Sequence, residues 1–226
     1  MFGLENTRTA AQAIAGKDIL AKTPQSSFAF RTMTGMWLVF VIALGALMQL
    51  HAAKPGANGA PPLKMSQASL HHSVQLPSLL IFAHPYCPCF RTTLGELEEI
   101  MQECPGLVSA RVIFVVPPGE EIDWESNENL EHVRSIAGVT YTIDEAAAET
   151  IDYGAETSGM TLLFDQQGNR VFAGGITILR GHAGDNLGRQ AVVSFVKNGA
   201  ITTNQASIYG CPLFDESSSD AQKVGR

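Results

Sequence analysis

The chain has 226 residues, 45% of them hydrophobic and 16% charged, with a formal charge of −7. That is enough apolar material for one ordinary domain with its own core plus extensions, and it excludes a disordered protein. Residues 1–53 hold four Lys/Arg against two acids and the remainder eleven against twenty, so the body is net negative by nine and lacks the basic footprint a nucleic-acid partner needs.

No Asp, Glu, Lys or Arg lies between Arg31 and Lys54, a stretch of 22 residues centred on MWLVFVIALGALMQL. A membrane-spanning helix needs roughly 20 such residues. A buried core helix would show a polar face, which is missing here. His51-Ala52-Ala53 resembles a small-residue cleavage site. The long segment before the apolar run, however, argues against a signal peptide, which is about 15–30 residues in all. The reading is therefore a transmembrane helix over 32–53 that stays attached. Arg8, Lys17, Lys22 and Arg31 precede it and only Lys54 follows closely, so the positive-inside bias makes 1–31 a cytoplasmic tail. The body then lies outside the cytoplasm, where disulfides persist.

Residues 54–73 are rich in Gly, Pro, Ser and Ala and read as a flexible linker. The apolar run 76–83 reads as a buried strand. Positions 90, 94, 97, 100 and 101 then repeat at helical spacing up to Cys104, and Pro105-Gly106 ends that helix. ARVIFVVPPG is a second buried strand stopped by its prolines. A helix follows over 126–137, then a short strand at YTID and a helix capped by Asp144 that runs to about Tyr153. TLLFD and RVFAGGIT flank a QQGN turn and read as a hairpin. A last helix over 186–197 takes Asp185 as its cap, and 201–226 is a C-terminal extension. The order β-α-β-α-β-α-β-β-α predicts an α/β domain over 74–200, a mixed β-sheet flanked by helices.

Cys87 and Cys89 stand at the junction of the first strand and the first helix. Unpaired N–H groups and the dipole at a helix start bias a cysteine toward the nucleophilic thiolate. Pro88 suits a first helical position, which puts Cys87 at the exposed cap as the attacking thiol and Cys89 inside the first turn as the resolving one. A disulfide between residues two apart closes a small ring, and departure from relaxed geometry makes it easy to reduce, so the pair is expected to be comparatively oxidising. His84 lies close enough in sequence to stabilise a thiolate as imidazolium, or to be an ordinary loop residue. The polar, Gly-rich segment Arg180–Arg189 borders the last helix, and His182 in it is a candidate acid/base or ligand. Arg180 and Arg189 are open to an anion or to pairing with acids. Cys211 can be a second resolving thiol, a third metal ligand or a free thiol. Cys104 reads as structural.

The dithiol at the first helix, the closing hairpin and the last helix together resemble the thioredoxin-like superfamily over about residues 74–200. More narrowly, HPYCPCFRTTLGEL, GGITILRGHAGDNLGR and YGCPL resemble bacterial membrane-anchored thioredoxin-like proteins of the RedB-like kind. Two departures stand out. Met160 occupies the place of the cis-proline of thioredoxins, and the strand SLLIFA lacks their buried acid.

The resemblance implies a single-pass protein of the bacterial inner membrane with a periplasmic domain. Its expected activity is thiol–disulfide exchange with protein thiols or disulfides outside the cytoplasm, through Cys87 and Cys89 with His84 and His182 beside them and no cofactor. The alternative is a copper-binding chaperone of the Sco-like type, with Cys87, Cys89, His182 and Cys211 as ligands, since soft thiolates suit Cu(I). A peroxide-reducing enzyme and a non-catalytic scaffold are weaker choices.

Overall fold

The computed structural model describes residues 25–66, 75–116 and 119–214. The chain divides between Gln49 and Leu50 into two units. The first holds most of helix α1 (Gln25–Ala52), whose stretch Phe28–Ala52 has a mean hydropathy of 1.9 and is long and apolar enough to cross a membrane. Trp37, Phe40, Ile42, Leu44 and Leu47 present apolar surface all round it rather than in one stripe, which suits a lipid solvent better than a one-sided core.

In the second unit β1 (Ser78–Ala83) leads through the cysteine loop to α2 (Phe90–Glu103) and β2 (Ser109–Val116). Then come α3 (Glu128–Ser135), β3 (Val139–Glu145), α4 (Ala148–Asp152), β4 (Met160–Phe164), β5 (Arg170–Gly174) and α5 (Leu187–Asn198). The strands form one sheet in the order β3-β2-β1-β4-β5. β1 pairs in parallel with β2, and β2 with β3, while β4 runs antiparallel to both β1 and β5. This is the expected mixed sheet flanked by helices, a thioredoxin-like fold.

β1 is central and every one of its six residues is buried, which is why its sequence is continuously apolar and does not alternate. Its side chains still divide by the pleat. Leu79 and Ile81 join Phe90, Leu94, Leu97, Ile100 and Phe114 in a core under α2. Leu80 and Phe82 join Tyr153, Leu162, Phe164, Ile208 and Leu213 on the opposite face. That second face is closed partly by segments outside the regular elements.

Three expectations are corrected here. Residues 54–66 do not hang free as a linker. Gly56 N–H donates to Ile208 O at 2.8 Å, Met65 N–H to Gly168 O at 2.8 Å and Arg170 N–H to Leu63 O at 2.8 Å, and Met65 is buried. Residues 67–73 of that stretch lie outside the described residues. The cap of the last helix is Asn186, whose side chain accepts the Arg189 N–H, and Asp185 instead pairs with the Arg189 guanidinium. The short helix after β3 starts after Ala147, but Asp144 does serve it, accepting the N–H groups of Glu149 and Thr150 at 3.1 and 2.7 Å.

Candidate functional site

The cysteine loop leaves the carboxyl end of the central strand and turns twice before α2 begins. His84 O accepts the Cys87 N–H at 3.1 Å, and Cys87 O accepts the Phe90 N–H at 3.2 Å. Pro88 sits exposed in the second turn, ahead of the helix rather than in its first position, and Cys89 is the cap residue, with helical φ −69 and ψ −22. Exposure is therefore the reverse of the sequence expectation. Cys87 is buried at 2%, and Cys89 is half-buried. The tight turn tucks Cys87 inward because its carbonyl and N–H must both close turns.

Two buried asparagines hold this loop from α3. Asn127 caps α3 through Leu130 N–H, and its side-chain amide donates to Pro85 O at 3.2 Å. Asn129 donates to Pro85 O at 2.9 Å and to Cys87 O at 3.2 Å. Asn129→Ala removes one of the two donors on each of Pro85 O and Cys87 O, which keep the Asn127 amide and the Phe90 N–H, and is expected to cost about 0.5–1.5 kcal/mol of stability per lost bond. Urea unfolding would measure the loss, and the variant's Cys87 thiolate titration should shift with it; unchanged values for both would remove Asn129 from the site.

The third sulfur arrives from the C-terminal segment. Cys211 Sγ lies 3.0 Å from Cys87 Sγ. Cys87, Cys89 and Cys211 offer sulfur atoms that all lie within 4.8 Å of one another. The segment is seated by Ser158 N–H donating to Cys211 O at 2.8 Å and by Leu213 N–H donating to Glu156 O at 2.9 Å. Arg180 adds a hydrogen bond from its guanidinium to Gly210 O. Gly210 lies so close to Ser158 O that a Cβ there would overlap it, which makes glycine obligatory at that position. Gly159, with φ +89, precedes Met160, and the Gly159 N–H donates to Phe82 O at 2.7 Å.

The electrostatics divide the three thiols. A hydrogen bond from the Cys211 thiol, opposed by burial and assisted by the Cys211 N–H, the Ser158 hydroxyl and the Phe90 N–H, lowers the Cys87 pKa to about 5. Ser158 is well placed for this, since its oxygen already accepts the His84 N–H at 3.1 Å. The hydrogen bond to the Cys87 thiolate pushes the Cys211 thiol up, as do burial and the neighbouring cysteine charges, with Arg180 opposing. Burial and the Cys87 charge raise Cys89, again against Arg180. Arg180 is therefore the cation of the site. Arg189 is not, because it pairs with Glu96, Glu99 and Asp185.

The two histidines do not join the sulfurs. His84 Nδ1 accepts the Tyr86 N–H at 3.2 Å and Nε2 faces Glu120 at 3.6 Å. His182 is exposed, with Nδ1 2.7 Å from Arg180 O. Of the four residues expected as a metal set, three converge and His182 stands apart. Cys104 is buried away from the cluster, and burial pushes its thiol up, as suits a structural residue. Tyr86 accepts the Asp123 N–H at 2.8 Å and Arg91 pairs with Glu128. Ser158, Asn127, Asn129 and Glu96 were not legible as site residues, since each acts through a partner far away in sequence. Glu96 is 1% exposed and accepts from Gly184 N–H at 2.7 Å, Asn186 Nδ2 at 3.2 Å and Arg189 Nε at 3.1 Å, fixing the loop that carries Arg180 and His182.

No protein-family profile matches the chain, and no curated protein does. Among solved structures, the chain is similar to an uncharacterised conserved protein from Geobacillus kaustophilus, at 16% identity and a TM-score of 0.53, over 72% of this chain and 93% of that one. It is similar to a hypothetical protein from Sinorhizobium meliloti at 18% identity and a TM-score of 0.52, over 71% and 93% of the two chains. A more distant likeness is the copper-bound ScoI of Bradyrhizobium japonicum, at 15% identity and a TM-score of 0.40, over 62% and 98%. At these identities the likeness concerns the fold alone.

Proposed function

We propose that this chain is a membrane-anchored thiol–disulfide oxidoreductase acting on exported proteins through Cys87 and Cys89, of the bacterial RedB-like kind. It sits in the inner membrane with its N-terminus in the cytoplasm and its body in the periplasm. The observation that carries this reading is the Cys211 sulfur 3.0 Å from Cys87 Sγ, a hydrogen-bond partner that, against burial, lowers the Cys87 pKa to about 5 and favours its thiolate. A thiolate so stabilised is both the reactive form and a good leaving group in exchange. Cys87 forms the bond to a substrate sulfur while the substrate's other sulfur leaves, and Cys89 then attacks Cys87, releasing the reduced substrate. Read backwards, the same steps oxidise a dithiol.

A second reading has an observation of its own, the third sulfur within 4.8 Å. Three soft donors suit Cu(I), held as cargo by Cys87, Cys89 and Cys211 without His182. The full-length protein in detergent micelles separates the two. The expected result is turnover of a test disulfide or dithiol peptide and no stoichiometric copper after exposure to Cu(I) with a competing chelator. One tightly held copper per chain, without exchange activity, would reverse the assignment.

A further inference from the structure

The exchange just described uses one of the two sulfurs that neighbour Cys87, although the other lies 3.0 Å from it. We propose that Cys211 is a third redox-active thiol of this site, which takes the disulfide over from Cys89 so that the oxidised protein rests with a Cys87–Cys211 bond. This rests on the oxidoreductase reading and adds to it a residue 124 positions away from the loop.

The placement of Cys211 is built. Its own carbonyl is held by Ser158 N–H, Pro212 bridges Thr157, Gly210 is pinned by Arg180 and Ser158, and the following Leu213 is buried. These contacts bring its sulfur to 3.0 Å from Cys87 Sγ, so a bond of about 2.05 Å needs only a small closure. The Cys87–Cys89 bond, by contrast, must close across Pro88 within a turn whose carbonyls are already committed to Phe90 and Thr92. A disulfide that departs from relaxed geometry is the more easily opened.

The step is an internal exchange and needs no outside reagent. Cys211, as thiolate, attacks Cys87 Sγ in the Cys87–Cys89 disulfide. The Cys87–Cys211 bond forms, the Cys87–Cys89 bond breaks, and Cys89 leaves as thiolate and takes up the proton that Cys211 gave up. Two thiols and one disulfide exchange partners with no net oxidation. The Arg180 guanidinium acts on both ends of this transfer, since it opposes the upward shifts of Cys89 and Cys211 alike. The reverse transfer returns the disulfide to the C-P-C pair.

Tryptic mapping of the full-length protein tests this, because Cys87 and Cys89 fall on one peptide, 65–91, and Cys211 on another, 198–223. After oxidation with hydroxyethyl disulfide and alkylation of free thiols, the expected map joins the two peptides. The join persists in Cys89→Ser and disappears in Cys87→Ser. Cys211→Ser and Cys211→Ala should both keep a loop-only disulfide and shift the equilibrium with glutathione at least tenfold toward the reduced form. Two results would each overturn the proposal. One is a loop-only disulfide in the unaltered protein with Cys211 fully alkylated; the other is an unshifted glutathione equilibrium in both Cys211 variants. Failure of the unaltered protein to exchange any test disulfide would instead remove the oxidoreductase reading beneath it, and that assay is independent of the map.

Discussion

Cys87→Ser is expected to abolish thiol–disulfide exchange, and the reduced parent should show a thiolate that titrates near pH 5. With its pKa lowered to about 5, chiefly by the Cys211 thiol hydrogen bond against the cost of burial, Cys87 is almost fully ionised at neutral pH. An ordinary thiol with a pKa of about 8.5 is about 3% ionised at pH 7, so the thiolate population is enriched about 30-fold. Ultraviolet absorbance of the thiolate against pH measures this, with Cys87→Ser as the blank. A midpoint in the ordinary thiol range would remove the basis for Cys87 as the reacting sulfur.

The same shift makes the stability of the reduced protein depend on pH. The folded pKa lies below the unfolded value, so the unfolded chain binds more protons between about 5 and the ordinary thiol range. The stabilisation is therefore fully present above the unfolded value and is lost as pH falls through the folded one. Urea midpoints in excess reductant should fall from pH 8 to pH 5 more steeply for the parent than for Cys87→Ser.

Glu96→Ala should unfold the protein more readily by about 3 kcal/mol, the low end for breaking a buried ion pair. The low end applies because Arg189 keeps Glu99 and Asp185 as partners, while the Gly184 N–H and Asn186 amide lose their buried acceptor. Chemical denaturation gives the number. Because Glu96 holds the loop that carries Arg180, exchange activity should drop as well, and a variant of parental stability would show that the carboxylate is not structural.

The periodic parts of the chain were legible. Leu94, Leu97 and Ile100 declare α2 by spacing, and SLLIFA declares a strand covered on both faces, because these patterns record local geometry. The cap of α5 was misread by one residue, since Asp185 and Asn186 are both good caps and the choice is made by Glu96, which takes the Asn186 amide and accepts from Gly184. The two segments read as linker and extension carry no periodicity at all. Their hydrogen bonds run to Gly154, Gly168 and Ser158, and nothing in the sequence of residues 54–66 or 204–213 announces partners so distant. The burial of Cys87 was hidden for the same reason. Asn129, Ser158 and Cys211 enclose it, and all three come from later in the chain.

The seat of Cys211 has a consequence for how the site comes into being. Synthesis delivers the C-P-C loop first, then the sheet that frames it, and the segment bearing Cys211 only after α5. Until then Cys87 lacks the Cys211 sulfhydryl, the largest of the contributions that favour its charge, and the Cys211 N–H, and Cys89 is its one cysteine neighbour in the loop. The early chain thus lacks the strongest of the groups that favour the Cys87 thiolate, and the complete centre forms only when the last segment docks, which couples its full chemistry to the completion of folding.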